Sequence, residues 1–242
     1  MKKILLYGLL FIVSQWCVAQ YNDEALYAAY MKKDLSIWQA YIDQTDWSKI
    51  DTAEKLRLVN YEYGFIANCI QANNPRSEEY LSAFHTHLEE LQQWGQITEA
   101  RYYMYLSSVY AYDLMLNRGK LLSSGVKSFK SIKKAYKLAP NDPLVLTLKA
   151  NVDFYAPPAI GGDKESALKD FILAKQLLEQ EGKYQYLWNY AALRLCIAQC
   201  YEKTGEVQKA IDECYDILKV MPQFSYIKDE YLPTLLNPKK KK

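Results

Sequence analysis

Apolar residues recur along this chain every three to four positions, in segments of ten to twenty residues, and the few glycines and prolines fall between the segments. Nowhere does a period of two run between hairpin turns, so strands are not expected. The pattern predicts helices near 23–33, 35–46, 52–72, 77–93, 97–117, 123–139, 143–155, 164–180, 185–203, 206–220 and 225–235. Several starts carry their own physics. Asn22 and Asp51 can cap free amides. Asp142 precedes Pro143, whose missing N–H costs nothing at the first helical position. Asp163 repeats the capping role, and Glu165 in the first turn favours the helix dipole.

These helices come in pairs joined by short turns, which calls for a search for repeats. Ala191 to Phe224 is a unit of 34 residues. Ile197, Ala198 and Tyr201 supply a large, a small and an aromatic residue on its first helix. Gly205 falls in the turn, Ala210 is the small residue of the second helix, and Pro222 closes the unit. This unit resembles a tetratricopeptide repeat. Arg194, Cys214 and Ile217 depart from the usual tryptophan, aromatic and alanine. Upstream, Ser128, Ile132, Ala135 and Pro140 fit the end of another repeat, and Ala167, Phe171 and Ala174 reproduce a second-helix pattern. The resemblance covers about 97–222, and a pair at 52–94, with Gly64 near the small position, matches at fewer points.

The resemblance implies an all-α fold of about eleven helices, with antiparallel pairs stacked as a right-handed superhelix. A single pair cannot bury its apolar face, and neighbours supply the missing surface. The expected organisation is a leader at 1–19, capping helices at 20–50, a repeat array at 51–224, a capping helix at 225–236 and a basic tail at 237–242. Binding in such arrays takes place on the concave face, built from the first helix of each pair. In the last unit that face nominates Gln199, Glu202 and Lys203. The tyrosines at 61, 63, 102, 103, 105, 110 and 112 fit either an aromatic binding surface or inter-helix packing. The segment Ala156 to Ala167, with Pro157-Pro158 and then Gly161-Gly162-Asp163, is similar to one in helical-repeat proteins related to periplasmic transport-accessory lipoproteins, and to one in the regulators of microtubule dynamics family.

The N-terminus changes the picture of where the chain works. Lys2 and Lys3 precede an apolar run from Ile4 to Val13, and Ala19-Gln20 follows at a small-residue cleavage position. This is the pattern of a secretory signal peptide, and the run is too short to span a bilayer as a helix. Trp16 and Ser14 do not fit lipoprotein processing at Cys17. Export to a periplasmic or extracellular compartment is expected. Losing Lys2 and Lys3 takes 30 basic residues to 28, against 28 acidic ones, so no field for nucleic acid remains. Lys239, Lys240, Lys241 and Lys242 form the single charge block, suited to a peripheral contact with anionic lipid or a partner.

Candidate chemistry is sparse. His85 and His87 are two positions apart on a helix, point apart and cannot share a metal, so they read as surface side chains. No phosphate loop, nucleophile elbow or carboxylate pair in a cleft is nominated. Catalytic, cofactor and metal residues are therefore expected to be absent. In an oxidising compartment Cys69, Cys196, Cys200 and Cys214 invite a disulfide reading. A Cys200–Cys214 bridge would close a loop worth roughly 3 kcal/mol in the entropic account, and buried free thiols are the alternative. The expected function is a non-enzymatic scaffold in the cell envelope that takes a protein or peptide partner. The alternative is a small-ligand or transport-accessory role.

Overall fold

A computed structural model describes residues 22–117, 119, 121–158, 161–182, 184 and 187–237. The leader at 1–19, the Ala19-Gln20 junction and the lysines at 239–242 lie outside the described residues. Among those described, every regular element is helical. We number them α1 (Asp23–Met31), α2 (Ser36–Gln44), α3 (Thr52–Gln71), α4 (Ser77–Gln93), α5 (Glu99–Leu116), α6 (Val126–Leu138), α7 (Pro143–Tyr155), α8 (Lys164–Glu181), α9 (Trp188–Lys203), α10 (Val207–Val220) and α11 (Leu232–Leu236). No helix among them is long and apolar enough to cross a membrane.

The helix starts are where side-chain capping puts them. Asn22 accepts from the Ala25 amide at 2.8 Å, and Asp51 from that of Glu54 at 2.9 Å. Asp142 accepts from Leu144 and Val145, and Asp163 from Glu165 and Ser166. Two places depart from the predicted pattern. A π-helical turn at Leu121–Gly125 precedes α6. The final helix is split into a π-helical turn at Tyr226–Tyr231 and the short α11. Pro233, in the first turn of α11, has no N–H to carry a ladder back into the π turn.

Successive helices pack as pairs: α3 with α4, α5 with α6, α7 with α8, and α9 with α10. The first helices also touch one another in order, α3 to α5, α5 to α7 and α7 to α9. Small residues allow these approaches. Ala135, Ala167, Ala174, Ala198 and Ala210 are fully buried, alongside Phe171 and Ile197. Tyr201 is half-buried, and Gly205, Pro140 and Pro222 are exposed in the turns. Arg194, which stands where the repeat pattern has tryptophan, is buried too. Its Nε donates to Glu213 at 2.7 Å, so an ion pair links α9 to α10 in place of an aromatic contact.

Glycine explains the segment between α7 and α8. A Cβ at Gly162 would stand 1.8 Å from the Ala156 carbonyl oxygen, so no other residue fits there. The Asp163 amide, next along, donates back to the Asp153 carbonyl at 2.9 Å. In this chain the Gly-Gly-Asp sequence makes the tight return from α7 into α8.

The N-terminal pair α1–α2 does more than cover one end. Leu26 and Ala29 of α1 join the apolar cluster of α3–α7, whereas Tyr27 and Met31 join that of α7–α11. Trp188, at the start of α9, crosses to the first cluster. It meets Trp38 at 5.3 Å and Tyr30 at 5.8 Å between ring centroids. Asn189 and Asn60 exchange side-chain amide bonds of 2.9 and 3.1 Å between α9 and α3. Tyr30 also packs on Phe224, and Lys33 pairs with Glu230. The last helix pair therefore returns to the first, with α1 wedged between them.

Candidate functional site

This closure decides which part of the first-helix face remains open. Tyr61, Tyr105 and Tyr112 are buried, and Tyr63 is packed against Tyr112 and Trp188. Their hydroxyls are spent internally: Tyr112 donates to the Tyr63 carbonyl at 2.9 Å and Tyr105 to Asn60 at 3.3 Å. Tyr102 donates to Glu89 at 2.8 Å, and Lys134 and Lys127 lie over the rings of Tyr103 and Tyr110. The tyrosine run thus serves packing between helices. Burial pushes the Tyr105 hydroxyl up to about 12, as expected for a core phenol.

A strip of α9 is partly covered at its start and opens toward Lys203. Ala192, Cys196 and Gln199 are half-buried and Lys203 is exposed, at the spacing of one helix face, while Leu193, Ile197 and Cys200 beside them are buried. Asn151 and Tyr155 of α7 face the strip. Cys196 Sγ lies 3.7 Å from Asn151 Oδ1. Tyr155 is 69% exposed. Of the three residues predicted for a partner surface, Gln199 and Lys203 lie on this strip. Glu202 does not serve it, because its carboxylate accepts from the Tyr231 hydroxyl at 3.1 Å and so anchors the C-terminal turn.

Among the described residues the cysteines are free thiols, and the Cys200–Cys214 bridge is not formed. Cys200 and Cys214 are buried small side chains. Desolvation pushes the thiols of Cys196, Cys200 and Cys214 up to about 12, and that of Cys69 up to about 11. Such thiols are poor nucleophiles near neutral pH.

One histidine differs from the surface reading. His85 lies 3.4 Å from Glu89 on its own helix. His87 instead turns inward: its Nδ1 lies 2.9 and 3.1 Å from the two oxygens of Glu62, a carboxylate only 3% exposed. Burial raises the Glu62 carboxyl above its ordinary range, and the bond from His87 offsets part of that rise. A signal for Glu62 was present in the sequence. It stands on the stripe of Leu58, Phe65 and Cys69, where a charge needs a partner.

One open cleft of about 510 Å³ lies between α4 and α5. Glu78, Leu81 and His85 line one wall, and Val109, Tyr110 and Asp113 the other. Among the described residues no group of histidine, cysteine and acidic side chains is arranged to hold a metal ion.

No protein-family model, curated protein or solved structure matches this chain.

Proposed function

We propose that this chain is an exported, non-enzymatic helical-repeat scaffold of tetratricopeptide type that binds a protein or peptide segment along the α7–α9 strip. Support for the repeat reading comes from the paired helices, the contacts between successive first helices and the buried alanines at the close approaches. Export rests on the leader pattern at 1–19. The observation that carries the binding site is selective exposure. Tyr61, Tyr105 and Tyr112 are buried between helices, whereas Tyr155 and Lys203 are exposed and Gln199 is half-buried on the neighbouring helices α7 and α9. A half-open phenol flanked by an amide and a cation suits recognition of a polar segment with an aromatic or acidic side chain.

Placing a photo-crosslinking residue at Gln199, with the same residue at Lys219 on α10 as control, tests this in the native cell envelope. One discrete adduct from position 199, lost on Tyr155→Ala, is the expected result. Equal labelling from both positions overturns it.

A further inference from the structure

The connection at 45–51 joins the wedged pair α1–α2 to α3, and one aromatic side chain ties it down. The Trp47 ring stacks on His87 with centroids 3.8 Å apart and planes 10° apart. Its Nε1 donates to Glu90 at 2.6 Å, and Lys55 Nζ lies 4.8 Å from the same ring. On its other side His87 reaches the buried Glu62. Trp47, His87 and Glu62 thus form a continuous stack from the surface connection to the core of α3.

We propose that this stack is a proton-operated strap: the proton shared by Glu62 and His87 keeps the 45–51 connection seated, and its loss releases Trp47. With that proton the pair is neutral overall, as imidazolium and carboxylate or as imidazole and carboxylic acid. An imidazolium also attracts the face of the Trp47 ring. Without the proton, an ionised carboxylate remains in an apolar site with only a neutral donor beside it, which is unfavourable. His87 lies between Glu62 and Trp47, so one ring couples the buried carboxyl to the indole.

The surrounding charges have other engagements. Glu89 takes Tyr102 and His85, Asp46 pairs with Lys49, and Asp51 caps α3. Lys55 lies over the Trp47 ring, and Glu90 accepts from its Nε1. Among the described residues His87 is the titratable group bonded to Glu62. The strap therefore has one proton site, at the pair.

Two histidines make the test simple. In a His85→Gln background the remaining imidazole signal belongs to His87, and Trp47→Phe identifies the Trp47 indole N–H resonance. Both signals are followed by NMR as pH rises, with amide-exchange protection of residues 45–51. The expected result is one common midpoint, above which protection of 45–51 falls about fivefold or more, the size of a 1 kcal/mol change in opening. His87→Gln abolishes the step while the helical circular dichroism persists. A Trp47 signal and a 45–51 protection that ignore the His87 titration overturn the proposal, and the wild-type titration decides this even where His87→Gln fails to fold.

Discussion

Gly64→Ala measures the closure of the helix array directly. Gly64 lies inside α3, where alanine is the better helix former by about 1 kcal/mol. In isolation the substitution therefore stabilises. In this fold a Cβ there would stand 2.6 and 2.7 Å from Cη2 and Cζ2 of Trp188, and 3.0 Å from Cζ3 of Trp38. Ordinary carbon contacts lie at about 3.5–4.0 Å, so the Trp188 ring must retreat by roughly 1 Å. It has little room, being held by Trp38, Tyr30 and Tyr63. Overpacking of this kind costs about 1–3 kcal/mol, which offsets or exceeds the helix gain. The net expectation is a loss of about 0–2 kcal/mol. Trp188→Ala removes the obstacle. On its own that change costs about 3–5 kcal/mol, toward the lower end because among the described residues the buried Trp188 Nε1 has no hydrogen-bond partner to lose. In the Trp188→Ala background Gly64→Ala should then stabilise by about 1 kcal/mol. Urea unfolding of the four proteins gives the coupling energy, expected at about 1–3 kcal/mol. Equal stabilisation by Gly64→Ala in both backgrounds would show that α9 does not sit against α3.

Three further outcomes follow from the buried polar groups. Arg194→Ala strands Glu213, whose side chain is 15% exposed, and should destabilise by about 3–5 kcal/mol, whereas Arg194→Met with Glu213→Leu should recover most of the loss in thermal unfolding. Glu62 has a folded pKa raised by burial, so its favourable contribution is complete below its unfolded value near 4.3 and is lost as pH rises through the folded value. Glu62→Gln should accordingly gain stability relative to the wild type between acid and mildly alkaline pH, and a relative gain toward acid would contradict that sign. Thiol titration of a chain beginning at Gln20 should find four free thiols after unfolding and slow reaction at pH 8 before it, since desolvation disfavours each thiolate; two thiols would mean that the Cys200–Cys214 bridge forms.

The helices themselves were legible because each satisfies a local rule. The 3.6-residue period, the caps at Asn22, Asp51, Asp142 and Asp163, and the pairing across short turns are all decided within about twenty residues. The closure was not. Gly64 looks like a repeat position and Trp188 like a helix start, and nothing local says that they meet. The inward turn of His87 was missed for a related reason. Its own helix offers Glu89 and Glu90 as partners, and only the packing of α3 on α4 brings Glu62 within reach. Glu202 fell on the predicted groove by spacing, but the C-terminal turn that takes its carboxylate adopts π-helical geometry that no spacing rule foresees. For Arg194, the departure from the repeat pattern marked a real change of chemistry, an ion pair where an aromatic contact was expected.

An open helical-repeat array derives its stability from nearest neighbours, so its ends can fray independently. Here α1 contributes to both apolar clusters, and α9 and the C-terminal turn reach back to α1 and α3. Contacts that join the first and last pairs make end-fraying costly, because loosening either terminus exposes the Trp38–Trp188–Tyr30 cluster in the middle. The same contacts bear on the proposed function, because α1 and Trp188 already pack against α3 and α5, where an open superhelical groove would present a binding face. The scaffold proposed above would therefore offer its partner a few side chains of α7 and α9, Tyr155, Gln199 and Lys203, with no wrapping by several helices.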